Sequence, residues 1–213
     1  MRDHIELYWR ELADVMRRMP FALIGQAADV LLDCQRRDGT VFILGNGGSA
    51  STASHFACDL AKGTRTQGLP TFRVVPLTDN VPLLTAWAND TSYDRVFAEQ
   101  LIALVRPGDV VFMISASGNS ANVLAAAQVA RKAGAFTLSL TGQTGGKLRR
   151  LSDLTIRVPS PSIEQVEDAH SMITHSLCVA LRERLRAEAA SRAAELTRLR
   201  SPLPEPVALE LSR

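Results

Sequence analysis

The sequence predicts an α/β protein in which helices cover both faces of a mainly parallel five-stranded sheet. Short apolar runs of strand length alternate with segments that show helical spacing, which is typical of a buried parallel sheet. Two of these runs end in loops rich in glycine or serine. The runs that we read as strands lie at 41–44, 72–77, 110–114, 136–140 and 154–158.

Two helices are predicted before the first strand. Residues 3–18 place most of their apolar side chains on one face, and Pro20 can open a second helix that ends near Arg37. The apolar face of the first helix precedes the sheet and needs a partner, so we expect this helix pair to pack in an oligomer. The residues of that face are Ile5, Tyr8, Trp9, Leu12, Val15 and Met16.

Further helices are predicted between and after the strands. Thr78 and Asp79 are positioned to cap the helix at 81–87. We expect a single domain over residues 1–190. The charged tail, 191–213, contains Pro202, Pro204 and Pro206 and is predicted to be loosely ordered. One further helix follows the first strand and its loop and ends near residue 62. The others are predicted at 94–105, 121–133 and 163–190.

Composition excludes several classes of function. The chain is 46% hydrophobic and 22% charged with a net charge of +2, which gives no reason to expect nucleic acid or an anionic membrane as a partner. No apolar stretch approaches the roughly 18 residues of a membrane span, and the charged N-terminus lacks a signal core. Cys34, Cys58 and Cys178 are far apart in sequence, which argues against a disulfide framework and favours a cytoplasmic location.

The two unusual loops follow strands, where open parallel sheets bind ligands. Residues 45–51 are rich in glycine, which lets the backbone approach a ligand, and residues 115–120 contain three serines and an asparagine. Hydroxyls beside the free N–H groups of a helix start favour a phosphate or sugar hydroxyls. The first loop matches GxGxxA, but no acidic residue follows about 20 positions later, so no nucleotide cofactor is expected. Two tight turns without a ligand remain the alternative.

Two pairs of titratable residues fall on helix faces. His55 and Asp59 are four residues apart, and Glu167 and His175 are eight apart, so each pair shares a face. His170 lies between the second pair but is rotated away. A histidine with a carboxylate can transfer protons or bind a metal, although a lone helical histidine usually does neither. Spacing alone leaves these alternatives open.

Five segments in this order and spacing resemble bacterial phosphoheptose isomerases, enzymes of the SIS fold, over about residues 5–185. The segments are GNGGSASTASHFACDL, AND at 88–90, ISASGNSANV, LTGQTGGKL and QVEDAHSMITH. The resemblance implies a three-layer α/β/α fold with a five-stranded parallel sheet and an N-terminal helix pair. It also implies a homotetramer with active sites at subunit interfaces.

The same resemblance implies which residues contact the sugar phosphate. Ala116 stands where the family commonly has threonine, so its contact would come from the backbone. The implied contacts are Asn46, Gly47, Gly48, Ser49, Asn89, Asp90, Ser115, Ala116, Ser117 and Ser120.

A zinc site and a catalytic group are implied as well, at His55, Asp59, Glu167 and His175. Asp59 replaces the family's glutamate, and Glu167 replaces its glutamine. The expected reaction converts sedoheptulose 7-phosphate to a heptose 7-phosphate of surface polysaccharide through an enediol. Asp59 or Glu167 would act as the base, and His175 would move protons between oxygens.

Two other functions stay open. Some SIS proteins bind sugar phosphates without catalysis and associate with the replication initiator, and these lack the metal ligands. Retention of His55 and His175 favours the enzyme over such a protein. The chain could also be an SIS enzyme or sensor for another sugar phosphate.

Overall fold

A computed structural model describes residues 1–200 of the chain, and their side chains as far as residue 198. The described residues form seven α-helices and five strands. In chain order they are α1 (Arg2–Arg17), α2 (Phe21–Arg36), β1 (Thr40–Gly45), α3 (Gly48–Cys58), β2 (Arg73–Pro76), α4 (Val81–Asp90), α5 (Val96–Leu104), β3 (Val110–Ser115), α6 (Ala121–Lys132), β4 (Phe136–Thr141), β5 (Leu154–Arg157) and α7 (Ile163–Arg200).

The five strands make one parallel sheet in the order β2-β1-β3-β4-β5. Every residue of β3 is buried, as expected for the central strand of a sheet covered on both faces. Strand order reverses between β1 and β3, so the loops that follow these two strands lie side by side at the carboxyl edge. The predicted fold class is confirmed.

Helices cover both faces of the sheet and give the three predicted layers. Side chains alternate along β1, so Val41 and Ile43 face α2, α3 and α7, whereas Phe42 and Leu44 face α5 and α6. Each large apolar side chain buried in these two cores stabilises the fold by roughly 1.5–3 kcal/mol. The packed sheet therefore gives rigid support to the loops that follow β1 and β3.

The start of α4 differs from the prediction. Asn80, and not Thr78 or Asp79, caps the helix, because its Oδ1 accepts a hydrogen bond of 3.1 Å from the backbone N–H of Leu83. Thr78 and Asp79 instead hydrogen bond to the hydroxyl of Ser54 on α3. The predicted cap was wrong because this contact between distant segments competes with local capping.

The last helix, α7, continues to Arg200, ten residues past its predicted end. Its final turns are rich in alanine, glutamate, leucine and arginine, all strong helix formers. Arg36 of α2 and Glu188 form an ion pair of 2.7 Å beside it. The prolines of the tail, 201–213, lie outside the described residues. Among the residues that the structure describes, no helix is long and apolar enough to cross a membrane.

The apolar face of α1 is only partly covered. Leu12 and Val15 are buried against the domain, whereas Ile5 and Trp9 are 56% and 64% exposed. One end of α1 therefore packs on its own chain and the other presents apolar side chains at the surface.

Candidate active site

Helices α3 and α7 run side by side in the same direction, and the candidate catalytic residues lie along their line of contact. A Cβ added to Gly48 would lie 2.7 Å from Oε2 of Glu167, so glycine makes room for this carboxylate. One turn further on, the hydroxyls of Thr52 and Ser171 are 3.5 Å apart. Beyond them Asp59 meets His175. We call this line of contact the α3–α7 seam.

His55, Asp59 and His175 form a compact group at one end of the seam. Oδ2 of Asp59 lies 3.6 Å from Nε2 of His55 and 3.8 Å from Nε2 of His175. The two imidazole rings meet edge to face with centroids 4.9 Å apart. Three donor atoms, one from each residue, lie within 4.8 Å of one another. The structure thus brings together three residues from two helices that are more than 100 positions apart in sequence.

The geometry of this group fits a divalent metal. Two imidazole nitrogens and one carboxylate oxygen are common zinc ligands, and a catalytic site keeps its fourth position open. Ligand atoms of a tetrahedral zinc lie roughly 3.4 Å apart, from bonds of about 2.0–2.2 Å. The separations of 3.6 and 3.8 Å from Asp59 need little adjustment to reach that value, and the three donor atoms, within 4.8 Å of one another, would draw together around the ion.

A π-helical turn, Asp59–Gly63, continues α3 and begins at the carboxylate of the group. Leu60 is fully buried, and its carbonyl accepts a hydrogen bond of 2.6 Å from the hydroxyl of Thr64. Single π turns within helices are frequent at functional sites because they change the direction of side chains. Helical spacing in the sequence predicted the helix but not this turn.

Glu167 lies at the other end of the seam. It is two turns of α7 before His175, about 12 Å along the helix axis. Its side chain lines a cavity of about 160 Å³ and is not part of the group formed by His55, Asp59 and His175. Of the four expected metal ligands, the described part of the chain therefore brings three together and leaves Glu167 apart from them. The other lining residues of this cavity, which we call the serine cavity, are Asn46, Ser49, Ile114, Ser115, Ala116, Ser117, Ser120 and Ile163.

The loop at 115–120 supplies hydroxyls to the serine cavity. The hydroxyls of Ser115 and Ser120 are 3.4 Å apart, and that of Ser117 accepts a hydrogen bond of 3.1 Å from the backbone of Asn119. Ser120 is the N-cap residue of α6, but its side chain makes no capping hydrogen bond. A helix start with unpaired N–H groups beside serine hydroxyls is suited to an anion.

A second glycine-rich loop, in the LTGQTGGKL segment at 140–148, contacts the serine loop at 115–120. The carbonyl of Gly118, a residue with φ of +62°, accepts a hydrogen bond of 2.9 Å from the N–H of Leu148. Oδ1 of Asn119 accepts one of 3.0 Å from the N–H of Lys147. A Cβ added at Gly118 would overlap the carbonyl oxygen of Gly145. The LTGQTGGKL segment thus holds the serine loop in place.

Asn46 belongs to a side-chain network that our sequence reasoning missed. Its amide forms two hydrogen bonds with the amide of Asn122, of 2.8 and 2.9 Å, and a third of 3.0 Å with the hydroxyl of Tyr93. The one available signal was Asn122 itself, a polar residue at the position of α6 that faces the domain interior.

The remaining implied contacts have diverse surroundings. Gly47, with φ of +54°, and Gly48 are exposed at the start of α3. Asn89 and Asp90 end α4 at the surface, where Nδ2 of Asn89 donates to Oδ1 of Asp90 at 2.9 Å. Neither lines the serine cavity, so their contact with a substrate stays a prediction.

Two residues near the seam, Cys178 and His170, are buried and have shifted pKa values. Burial, helped by the negative charge of Asp59, raises the pKa of Cys178 to about 12, so this residue remains a protonated thiol. His170 is 1% exposed and lies near the backbone of Thr141 at the end of β4, as expected from its rotation away from His175. Burial lowers the pKa of His170 to about 4.

The SIS domain family profile matches residues 8–142 of the chain. The phosphoheptose isomerase of Rhodospirillum rubrum is 40% identical over 180 residues, which cover 84% of this chain and 95% of that protein. The phosphoheptose isomerase of Trichlorobacter lovleyi is 35% identical over 180 residues, or 84% and 88% of the two chains.

Solved structures agree with these relatives. The structure of a phosphoheptose isomerase from Neisseria gonorrhoeae is similar with a TM-score of 0.80 and 32% identity, covering 85% of this chain and 98% of that one. That of a phosphoheptose isomerase from Francisella tularensis gives 0.79 and 30%, covering 85% and 97%. The expected family resemblance is confirmed.

Proposed function

Because the chain belongs to the phosphoheptose isomerase family of SIS-domain proteins, we propose that it is an isomerase that interconverts sedoheptulose 7-phosphate and a heptose 7-phosphate. The match with the relatives of this name covers nearly the whole length of those proteins. The product would enter the synthesis of surface polysaccharide. The seam supports this reading, because a cavity lined by hydroxyls lies at one end and two histidines with a carboxylate lie at the other.

The observation that carries the proposal is that the serine cavity and the group of His55, Asp59 and His175 lie at the two ends of one seam, where Glu167 and His175 are eight residues of α7 apart, a rise of about 12 Å. An extended seven-carbon sugar spans about 10 Å from the first carbon to the phosphorus, from bonds of about 1.5 Å. A pentose phosphate is roughly 2.5 Å shorter. A seven-carbon sugar phosphate with its phosphate in the serine cavity is therefore closer in length to this rise than a pentose phosphate is.

At the reacting end, Asp59 removes the proton from the carbon next to the carbonyl and returns it to the neighbouring carbon. His175 moves a proton between the two oxygens of the enediol, since an imidazole ring has two nitrogens, one able to donate and the other to accept. We propose zinc as the metal held by His55, Asp59 and His175, where it would supply Lewis-acid polarisation of the carbonyl.

We assign Glu167 to the sugar hydroxyls nearest the serine cavity, at its own end of the seam. In the described chain the carboxylate of Glu167 borders the serine cavity beside Gly48. Glu167 therefore lies too far along α7 from His175 to join the group of His55, Asp59 and His175. A carboxylate accepts hydrogen bonds from sugar hydroxyls, a role open to the glutamine of the family only through its carbonyl oxygen. Glu167 thereby orients the substrate.

We propose a homotetramer in the cytoplasm as the working form. The exposed Ile5 and Trp9 of α1 are apolar side chains that a neighbouring subunit can cover. Light scattering that shows a monomer at micromolar concentration would contradict the assembly. Cys34, Cys58 and Cys178 are all free thiols, which suits a reducing compartment.

A non-catalytic partner of the replication initiator is not favoured. Such proteins lack the metal ligands, whereas His55 and His175 are present here and lie together. The relatives compared above are named isomerases.

Turnover of sedoheptulose 7-phosphate, followed by NMR of the product, tests the proposal. Asp59→Asn keeps the shape of the side chain and removes its basicity, so turnover should fall by about a hundredfold or more. Asp38→Asn is the matched control, because Asp38 is exposed at the opposite edge of the sheet and its φ of 58° suits asparagine. A wild-type protein without turnover would favour a binding protein instead.

If Asp59→Asn keeps full turnover, the base is Glu167, and Glu167→Gln should then abolish the reaction. Full turnover in both variants would refute a carboxylate base on the seam. Elemental analysis of protein purified without added metal gives the metal content directly, and a metal other than zinc would overturn that assignment.

A further inference from the structure

Two residues outside the serine cavity hold the amide of Asn46, which lines it. Asn122 is the second residue of α6 and is 2% exposed. Nδ2 of Asn46 donates to Oδ1 of Asn122 at 2.8 Å, and Nδ2 of Asn122 donates to Oδ1 of Asn46 at 2.9 Å. The hydroxyl of Tyr93 donates to the same oxygen of Asn46 at 3.0 Å. Side chains from three separate segments therefore meet at one amide.

Counting donors and acceptors shows what Asn46 can offer to a ligand. A primary amide has two N–H donors and an oxygen with two lone pairs. Tyr93 and Asn122 occupy both lone pairs of the Asn46 oxygen, and one N–H is used by Asn122. A single N–H donor is left for the cavity.

Phosphate is the ligand group that fits this donor. A phosphate ester dianion presents only acceptor oxygens, and the serine hydroxyls opposite Asn46 are also able to donate. If both amides of the pair turned over together, Asn46 would present an oxygen instead, and that oxygen would repel the phosphate. The hydroxyl of Tyr93 can donate or accept and fits both arrangements, so an acceptor-only phosphate in the cavity selects the one that presents the N–H.

We infer that Asn122 and Tyr93 are positioning residues, which act through Asn46 to aim one N–H at the phosphate of the substrate. The inference rests on the proposed function for the presence of a sugar phosphate in the serine cavity. It also links the two ligand loops mechanically, because Asn46 follows β1 and Asn122 begins the helix after β3.

A double-mutant cycle with inorganic phosphate as the probe tests the inference by calorimetry. Asn46→Ala should weaken phosphate binding about tenfold, as expected for a hydrogen bond to a charged group. Asn122→Ala should weaken it nearly as much, and Tyr93→Phe by about threefold. When Asn46 is already alanine, adding Asn122→Ala or Tyr93→Phe should weaken phosphate binding by no more than about twofold further. Both residues act through the amide of Asn46, which is then absent.

If Asn122→Ala fails to fold, Tyr93→Phe still tests the inference. Tyr93 is 61% exposed, so its substitution should leave the fold intact. The chain has one other tyrosine, so Tyr8→Phe is a matched control that removes a hydroxyl bonded to Asp168. Asn80→Ala removes a hydrogen bond at the start of α4 and controls for weakening of a helix terminus. Both controls should bind phosphate like the wild type.

An NMR signature separates positioning from general loosening. The side-chain NH₂ signals of Asn46 are identified by their loss in Asn46→Ala. They should shift when phosphate is added to the wild type and to both controls, and should stay unchanged in Asn122→Ala. Equal shifts in Asn122→Ala would overturn the inference.

The outcomes for this inference and for the isomerase differ. Additive effects in the cycle, or no phosphate binding by the wild type in the millimolar range, would overturn the positioning role. A protein that binds phosphate with a coupled cycle but turns over no sugar would refute the isomerase and leave the positioning role intact.

Discussion

The buried imidazole of His170 makes the stability of the protein depend on pH. Neither ring nitrogen makes a well-formed hydrogen bond among the described residues, although the backbone of Thr141, at the end of β4, lies close to the buried ring. Burial lowers the pKa of His170 to about 4 from its ordinary 6.5, with a smaller opposing effect from the backbone of Thr141. The folded protein therefore keeps this residue neutral. We predict that acidification destabilises the fold through His170.

The sign and the size follow from these two pKa values. Between pH 6.5 and pH 4 the unfolded chain binds a proton at His170 that the folded chain does not, so stability falls as the pH falls through this window. The pKa values differ by about 2.5, and 1.36 kcal/mol per pH unit gives a loss of about 3 kcal/mol below pH 4. That is a large part of the 5–15 kcal/mol typical of a folded domain.

Urea unfolding of the wild type and of His170→Leu, at pH values from 7.5 to 4, measures this loss. Leucine fills a similar volume and does not titrate, so the difference between the two proteins should change by about 3 kcal/mol across the window. His4→Gln is the matched control, because His4 is exposed on α1 and its removal should leave the wild-type dependence unchanged. Parallel curves for the wild type and His170→Leu would refute the reasoning, as would an NMR titration of His170 near pH 6.5.

Three further predictions concern the loops and the metal. Gly118→Ala should lower the free energy of unfolding by about 2 kcal/mol or more in urea, because of its φ of +62° and the facing carbonyl, whereas Gly25→Ala, with open space around it, should raise it by about 0.5–1 kcal/mol. Ser117→Ala and Ser120→Ala together should weaken phosphate binding about tenfold in calorimetry, and unchanged affinity would place the phosphate elsewhere. His55→Ala removes one of three ligands and should lower the zinc content to near zero by elemental analysis; retained zinc would contradict the metal group.

The sequence by itself determined the architecture and the position of both ligand loops. Alternating apolar runs and helical segments predict a parallel sheet, because a strand buried on both faces must be apolar throughout. Loops that follow parallel strands must lie at the same edge, so the Gly-rich and Ser-rich loops could be placed there before the structure was known. Spacing of four residues also paired His55 with Asp59 correctly, since both lie on one helix.

Only the tertiary structure decided how side chains from distant segments meet. Residues eight apart on α7 share a face, yet Glu167 and His175 stand about 12 Å apart along the axis and join different groups. The pairing of Asn46 with Asn122 joins distant segments, as does the contact of Thr78 and Asp79 with Ser54, which leaves the cap of α4 to Asn80. Periodicity reports the direction of a side chain from its own helix axis. What it meets there is set by how the helices pack, which local sequence does not specify.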